Sequence, residues 1–285
     1  MLQAAPGFYL IEGPRNGQHP YAHFMFIDDR VPTLLDTGWG RESLRGLGNK
    51  KIDLIINSHF HLDHMGNNDA FPGARVWAHR LDAPALRSRQ TFVEYYGLDF
   101  SRSWLDVSEI TQSRVDRELE DRERICLGEV ELQVIHTPGH SPGHCVFFCR
   151  EESLVYGGDM DLSEIGPFYG SRVSNIDDWI ASIHKVMALE PRIFISAHRG
   201  ILDEDVRDCL HRYLDRIYER EARIIDGLQR PRTLSELTLL KPITGSFKEI
   251  GDLFYQIEML SISHHLGRLL KSGQVTRDGP YYILS

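Results

Sequence analysis

The stretch INSHFHLDHMGN, residues 56–67, sets His59, His61, Asp63 and His64 within six positions, directly after a run of aliphatic residues. Three imidazoles and a carboxylate are suitable ligands for a divalent transition metal. A helix would scatter these side chains around its circumference. A loop leaving the end of a strand can curl them toward one point. Three later segments repeat the arrangement: VIHTPGHSPGH carries His140 in a Pro/Gly turn, LVYGGD carries Asp159 in a Gly-Gly turn, and IFISAH ends in His198. Each follows a predicted strand. Four strand ends therefore each deliver a candidate ligand, and α/β folds build their sites at the C-terminal ends of strands.

The elements that must position these residues are legible in outline. GFYLIEG and YAHFMFIDDRVPTLLDTG predict a strand and a hairpin turning at Asp28-Asp29-Arg30. KIDLIINSH and ARVWAH predict further strands, the former buried on both faces. Residues 80–120, rich in charge and aromatics, predict a helical insertion. Strands resume at ERICLGEVELQVIH, HCVFFCR and SLVYGGD, with a hairpin at Gly128, and RIFISAH predicts the last core strand. Between these last two, SNIDDWIASIHKVMAL predicts an amphipathic helix opened by a capping box from Ser174 to Asp177. The fold class is α/β, a layered catalytic unit over 1–205 followed by a mainly helical unit over 206–285. In the second unit QRPRT reads as a linker, and helices are closed by a small hairpin at Asp278-Gly279, a pattern similar to a winged helix.

Charge and composition narrow the function. A hydrophobic share of 41% with 26% charged residues predicts a globular chain. Residues 206–285 hold 12 Lys and Arg against 10 Asp and Glu, a net of +2; residues 1–205 hold 20 against 31, a net of −11. So acidic a body gives nucleic acid no general attraction but suits a site for cations. No run of ~18 apolar residues is present to span a membrane, and the N-terminal MLQAAPGFYLIEG lacks the marks of a signal peptide. The expected location is cytoplasmic. Cys145 and Cys149 are expected as reduced core residues.

With the motifs HFHLDH, TPGH, GGD and SAH in that order, the chain resembles metallo-β-lactamase-fold hydrolases over roughly residues 5–205, near the glyoxalase-II-like and lactamase-beta-like members. The resemblance implies an αββα sandwich holding two divalent metals. His59, His61 and His140 would hold the first metal; Asp63, His64 and His198 the second; and Asp159 would bridge them. Asp36, in LLDTG, would orient a ligand histidine, and His144 would stand behind the ligands. Zinc is the first expectation; iron or manganese is compatible with such a mixed donor set. Relatives that reduce oxygen at two irons carry an acidic residue where this chain has His61, so the hydrolytic form is implied. One departure is Arg199, which stands between His198 and Gly200, where relatives often have glycine directly after the ligand. It could meet an anionic substrate.

The implied reaction is attack by a metal-bridging hydroxide on an acyl centre, with Asp63 orienting the nucleophile. Phe92, Tyr95, Tyr96, Phe168 and Tyr169 are candidates to line an apolar pocket, which suits a small-molecule acyl substrate such as a thioester, lactone or related ester. A phosphodiesterase or ribonuclease on the same metals, and a nucleic-acid-binding regulator without activity, are the alternatives. The weak tail charge does not favour nucleic acid. A homo-oligomer is compatible with the sequence. His79 and the pair His264-His265 are expected to serve packing.

Overall fold

A computed structural model describes residues 1–102, 110–245 and 252–285 of the chain. The first sheet comprises β1 (Leu2–Ala5), β2 (Phe8–Ile11), β3 (Phe24–Ile27), β4 (Thr33–Leu35), β5 (Leu54–Asn57), β6 (Arg75–His79) and β7 (Arg117–Leu119), in that spatial order. It is antiparallel as far as β4 and parallel from β4 to β7. The second runs β13-β12-β11-β10-β9-β8, built from β8 (Arg124–Cys126), β9 (Glu131–His136), β10 (Cys145–Cys149), β11 (Leu154–Tyr156), β12 (Ile193–Ser196) and β13 (Gly200–Ile201).

The period of two along each strand explains why the sheets stack. Met25 and Ile27 of β3 join Leu54 and Ile56 of β5 in the core between the sheets, where they meet Phe147, Val134 and Tyr156. The alternate residues Phe24, Phe26 and Ile55 form a separate cluster with Leu47 on the outer face of the first sheet. In the second sheet Val146 and Phe148 turn outward from the inter-sheet core. There they pack with Trp179 and Ile183 of α4 (Ile176–Met187) and Leu210 and Ile217 of α5 (Val206–Gly227). Strands covered on both faces carry continuous apolar sequences, as FMFI and CVFFC do. The result is a helix–sheet–sheet–helix sandwich.

Between β5 and β7 lie α1 (Leu62–Met65), α2 (Ala83–Arg87) and α3 (Arg89–Tyr96). The expected helical insertion at 80–120 is thus partly sheet, because Arg117–Leu119 pairs as the edge strand beside β6; its residues 103–109 lie outside the described residues. The expected capping box at Ser174 is replaced by an Asn175 cap, whose side chain accepts from Asp178 N, because the Ser174 hydroxyl donates to the carbonyl of His140 at 2.9 Å. RIFISAH is not the last strand either, since β13 adds antiparallel to β12.

Beyond α5 follow β14 (Arg232–Thr233), α6 (Leu234–Leu240), α7 (Asp252–Lys271), β15 (Val275–Asp278) and β16 (Tyr281–Leu284). The QRPRT segment is not a free linker: Arg232 and Thr233 pair with Tyr282 and Tyr281 of β16. Residues 246–251 of the tail lie outside the described residues. The apolar core is continuous across residue 205, since Leu237, Ile262, Leu266 and Val275 belong to the same cluster as Trp179 and Phe194.

Candidate metal centre

Strand β5 stops at Asn57, and the next seven residues carry four candidate ligands. Their loop is fixed by amides: Asn57 donates to the His64 carbonyl at 3.2 Å and accepts from Asn68 at 2.7 Å. Asp36, in the left-handed region at φ 63°, stands fully buried at the end of β4. It accepts from Ser58 N and Ser58 Oγ, both at 2.7 Å, and from Tyr156 Oη at 2.9 Å. It also receives His64 Nδ1 at 2.7 Å. That contact fixes the imidazole and turns His64 Nε2 inward.

The remaining ligands arrive from the second sheet. His140 gives Nδ1 to the Phe168 carbonyl at 3.0 Å, which leaves Nε2 facing His59 Nε2 at 3.1 Å and His61 Nδ1 at 2.9 Å. His198 gives Nδ1 to the Gly17 carbonyl at 2.7 Å. Asp159 stands between the two sets. Its Oδ2 lies 3.2 Å from His140 Nε2 and 3.8 Å from His59 Nε2. Its Oδ1 lies 2.7 Å from His64 Nε2 and 3.1 Å from His198 Nε2. Asp63 Oδ2 completes the second set, 3.6 Å from His198 Nε2 and 3.9 Å from His64 Nε2. His59, His61, His140 and Asp159 form one group with ligand atoms within 4.8 Å of one another; Asp63, His64 and His198 form the other.

This donor set fits divalent cations on three counts. Burial, reinforced by neighbouring imidazoles, pushes His59 and His61 well below their ordinary value, so both are neutral donors. Burial also lowers His64 and His198. The carboxylates around them outweigh it, led by Asp159, and raise His64 well above its ordinary value and His198 to about 10. Burial would raise Asp63 and Asp159, but His64 foremost holds both carboxyls below the usual range. The pocket thus demands positive charge between its carboxylates. Finally, His64 Nε2 makes no hydrogen bond although Asp159 Oδ1 is so close: the two atoms are misaligned as donor and acceptor, but both can face a common ion.

His144 stands behind the bridging carboxylate. Thr137 Oγ1 sits 2.9 Å from its Nδ1, and its Nε2 accepts from Asp159 N at 3.2 Å. Gly158, at φ 52°, precedes that carboxylate; a Cβ there would lie 2.9 Å from the Ser58 side chain. Asp82 was not among the residues the motifs single out. Fully buried, it accepts from Phe60 N at 3.1 Å, Ser141 Oγ at 2.6 Å and Gly143 N at 2.6 Å, and so clamps the His59–His61 loop to the His140 loop. Its only sequence signal is a carboxylate three residues beyond a strand end, in WAHRLD.

The pocket candidates divide. Tyr96 stacks on His61 with ring centroids 4.5 Å apart at 22°, and the Phe168 ring lies 5.9 Å from His61 and 5.6 Å from His140. Phe92 is buried in the local core with Phe60, Leu86 and Ile110. Tyr95 donates its hydroxyl to the Leu81 carbonyl at 3.3 Å. Tyr169 is buried, its hydroxyl 2.9 Å from His265 Nε2, so it does not line a pocket. Arg199 is engaged elsewhere: it donates to the Leu162 carbonyl and to Glu204, both at 2.6 Å. All four cysteines are free, with Cys145 and Cys149 buried.

Comparison with known proteins agrees with this geometry. A "Beta-lactamase-like protein 2 homolog" of Drosophila melanogaster is 24% identical over 81% of this chain and 74% of its own length. An "Atrochrysone carboxyl ACP thioesterase" of Aspergillus fumigatus is 26% identical over 82% of this chain and 72% of its own. Among solved structures, a metallo-beta-lactamase family protein from Thermus thermophilus superposes with a TM-score of 0.78 at 24% identity, covering 99% of this chain and 100% of that one. No helix among the described residues is long and apolar enough to cross a membrane. Residues 22–198 match the profile of the Metallo-beta-lactamase superfamily, and with the two ligand groups brought together by both sheets the chain belongs to that family and is a hydrolase.

Proposed function

We propose that the chain is a dinuclear metal-dependent hydrolase of a small acyl substrate, a thioester in the first place and a lactone or related ester in the second. The observation that carries the dinuclear reading is the split of Asp159: one oxygen faces His59 and His140, the other His64 and His198. His59, His61 and His140 would hold one ion, Asp63, His64 and His198 the other, and zinc suits this nitrogen-rich set best. Two ions there supply a water activated near neutral pH and positive charge for the developing oxyanion. The chain's own residues do the rest. Asp63, an ionised carboxylate beside His64 and His198, would orient the attacking water toward the acyl carbon. Asp36, Phe168 and Gly17, through their contacts to His64, His140 and His198, hold the imidazoles in place throughout the reaction.

The acyl reading is supported by the apolar rings of Tyr96 and Phe168 against His61, by the thioesterase among the relatives, and by an acidic body that repels polyanions. For the tail, the element order helix–strand–helix–helix–strand–strand, with β14 paired to β16, supports a winged-helix-like unit over 206–285 whose first helix is packed on the sandwich. The test is an initial-rate comparison on metal-loaded protein: short acyl thioesters, a phosphodiester and a short RNA, each with and without chelator. Chelator-sensitive thioester hydrolysis is expected. Chelator-sensitive cleavage of the phosphodiester or RNA alone would replace the acyl reading with a phosphodiesterase.

A further inference from the structure

Two adjacent histidines of α7, the half-buried His264 and the fully buried His265, lie far from the ligand motifs in sequence, and both reach the loop that follows Asp159. His264 Nε2 donates to the Ser171 carbonyl at 2.8 Å, and the Ser171 hydroxyl lies 3.4 Å from His61 Nε2. His265 Nε2 accepts a hydrogen bond from the Tyr169 hydroxyl at 2.9 Å, two residues from that serine and one from Phe168, whose carbonyl receives His140 Nδ1. His264 is thus one loop residue removed from His61, and His265 two from His140, both imidazoles of the same ligand group.

The far side of this contact is anchored by charge. Arg220 of α5, 2% exposed, donates to the Tyr169 hydroxyl at 3.0 Å and to the carbonyls of Pro167 at 2.5 Å and Ile165 at 2.6 Å. His265 Nδ1 faces Glu221 Oε2 at 3.2 Å, which also accepts from Arg268 Nε at 2.8 Å. The donors and acceptors read in one direction: Arg220 to Tyr169, Tyr169 to His265, His265 to Glu221. Such a buried hydrogen-bonded chain favours one geometry, and truncating one member leaves the others desolvated and unpaired.

We infer that His264 and His265 are positioning residues which, through Ser171 and Tyr169, set the orientation of His61 and His140 and hence the affinity of the ion held by the His59–His61–His140 group. The inference rests on the dinuclear reading above. It gives the tail a role in the centre itself: α5 and α7 brace the loop against which two ligands lean. Removing a partner that orients a ligand histidine typically lowers metal affinity 10–100-fold, and here the loss falls on one of two equivalents.

The experiment is a zinc competition titration of the full-length chain against a chromophoric chelator, with the thermal midpoint of each metal-free variant recorded alongside. In His264→Ala and His265→Ala one equivalent is expected to weaken about 10–100-fold while the other stays within about threefold. His265→Gln, which can accept from Tyr169 and donate to Glu221, restores most of the loss. Tyr169→Phe combined with His265→Ala adds little to either alone, since both break one chain. If the alanine variants do not fold, Ser171→Ala removes only the hydroxyl beside His61 and must weaken the same equivalent. Unchanged affinities in the folded variants, or equal weakening of both equivalents alongside a lower metal-free midpoint, would overturn the inference and leave the hydrolase reading standing. A wild-type chain that binds fewer than two equivalents would sink both.

Discussion

Asp36 Oδ2 lies 2.7 Å from His64 Nδ1 and 2.9 Å from the Tyr156 hydroxyl, so a carboxylate at the end of the first sheet is held by a tyrosine of the second while it aims a ligand between them. Asp36→Asn keeps the shape and removes the charge. Metal affinity should fall about 10–100-fold with little change in fold. Equilibrium competition with a chelator measures this, and wild-type affinity in the variant would show that His64 needs no such partner.

Asp82 ties Phe60 N, Ser141 Oγ and Gly143 N together from a fully buried position, where desolvation foremost raises its pKa to about 6 despite those bonds. An asparagine in its place presents two donors to a pocket of donors. Asp82→Asn should cost about 2 kcal/mol or more of stability. Because the clamp joins two ligand loops, metal retention should fall with it. Denaturant unfolding of the metal-free chain and a zinc titration read the two effects separately.

Gly139, in TPGH, has φ 133°, and a Cβ there would lie 2.4 Å from Trp179 N and Cα at the start of α4. Gly139→Ala must therefore move the turn that carries His140. About 1–3 kcal/mol of destabilisation is expected from the strained backbone, visible as a lower thermal midpoint before any metal is added. An unchanged midpoint would mean that the turn and the helix can separate freely.

The His79 ring stacks on His136 at 4.0 Å and 11°, and burial, followed by the neighbouring His136, lowers its pKa from 6.5 to about 3. The folded state therefore binds fewer protons than the unfolded one between these values. His79 supports the fold fully above pH 6.5, and that support is lost as pH falls toward about 3. His79→Phe keeps a ring on His136 and removes the titration. The acid limb of a stability–pH curve should flatten in the variant. An identical limb would assign the acid sensitivity to other groups.

What the sequence revealed follows from where information about contacts resides. The seven ligand candidates were legible because each follows closely on an apolar strand, where a buried ionisable group has no ordinary structural use. They sit in a polar or glycine-containing turn or, for Asp63 and His64, in the short helix α1 rather than the expected loop. The sheets were legible because a strand buried on both faces reads as continuous apolar sequence. Asp82, Ser171 and the α7 histidines were not, because their partners are remote: Asp82 meets Ser141 across 59 residues, and His264 meets Ser171 across 93. Tyr169 and Arg199 look like pocket residues by type and position. Each instead found a buried or acidic partner that only the folded chain brings near. The capping residue moved by one for the same reason, since a tertiary acceptor at His140 took the Ser174 hydroxyl.

The central claim is that Asp159 joins two ions into one hydrolytic centre, and a zinc titration of the metal-free chain tests it most directly, with thioester turnover followed at each addition. Activity should rise until two equivalents are bound and stay near the background in Asp159→Ala, whose affinity for both ions should collapse. Full turnover with one equivalent, in chelated protein, or in Asp159→Ala would contradict the account.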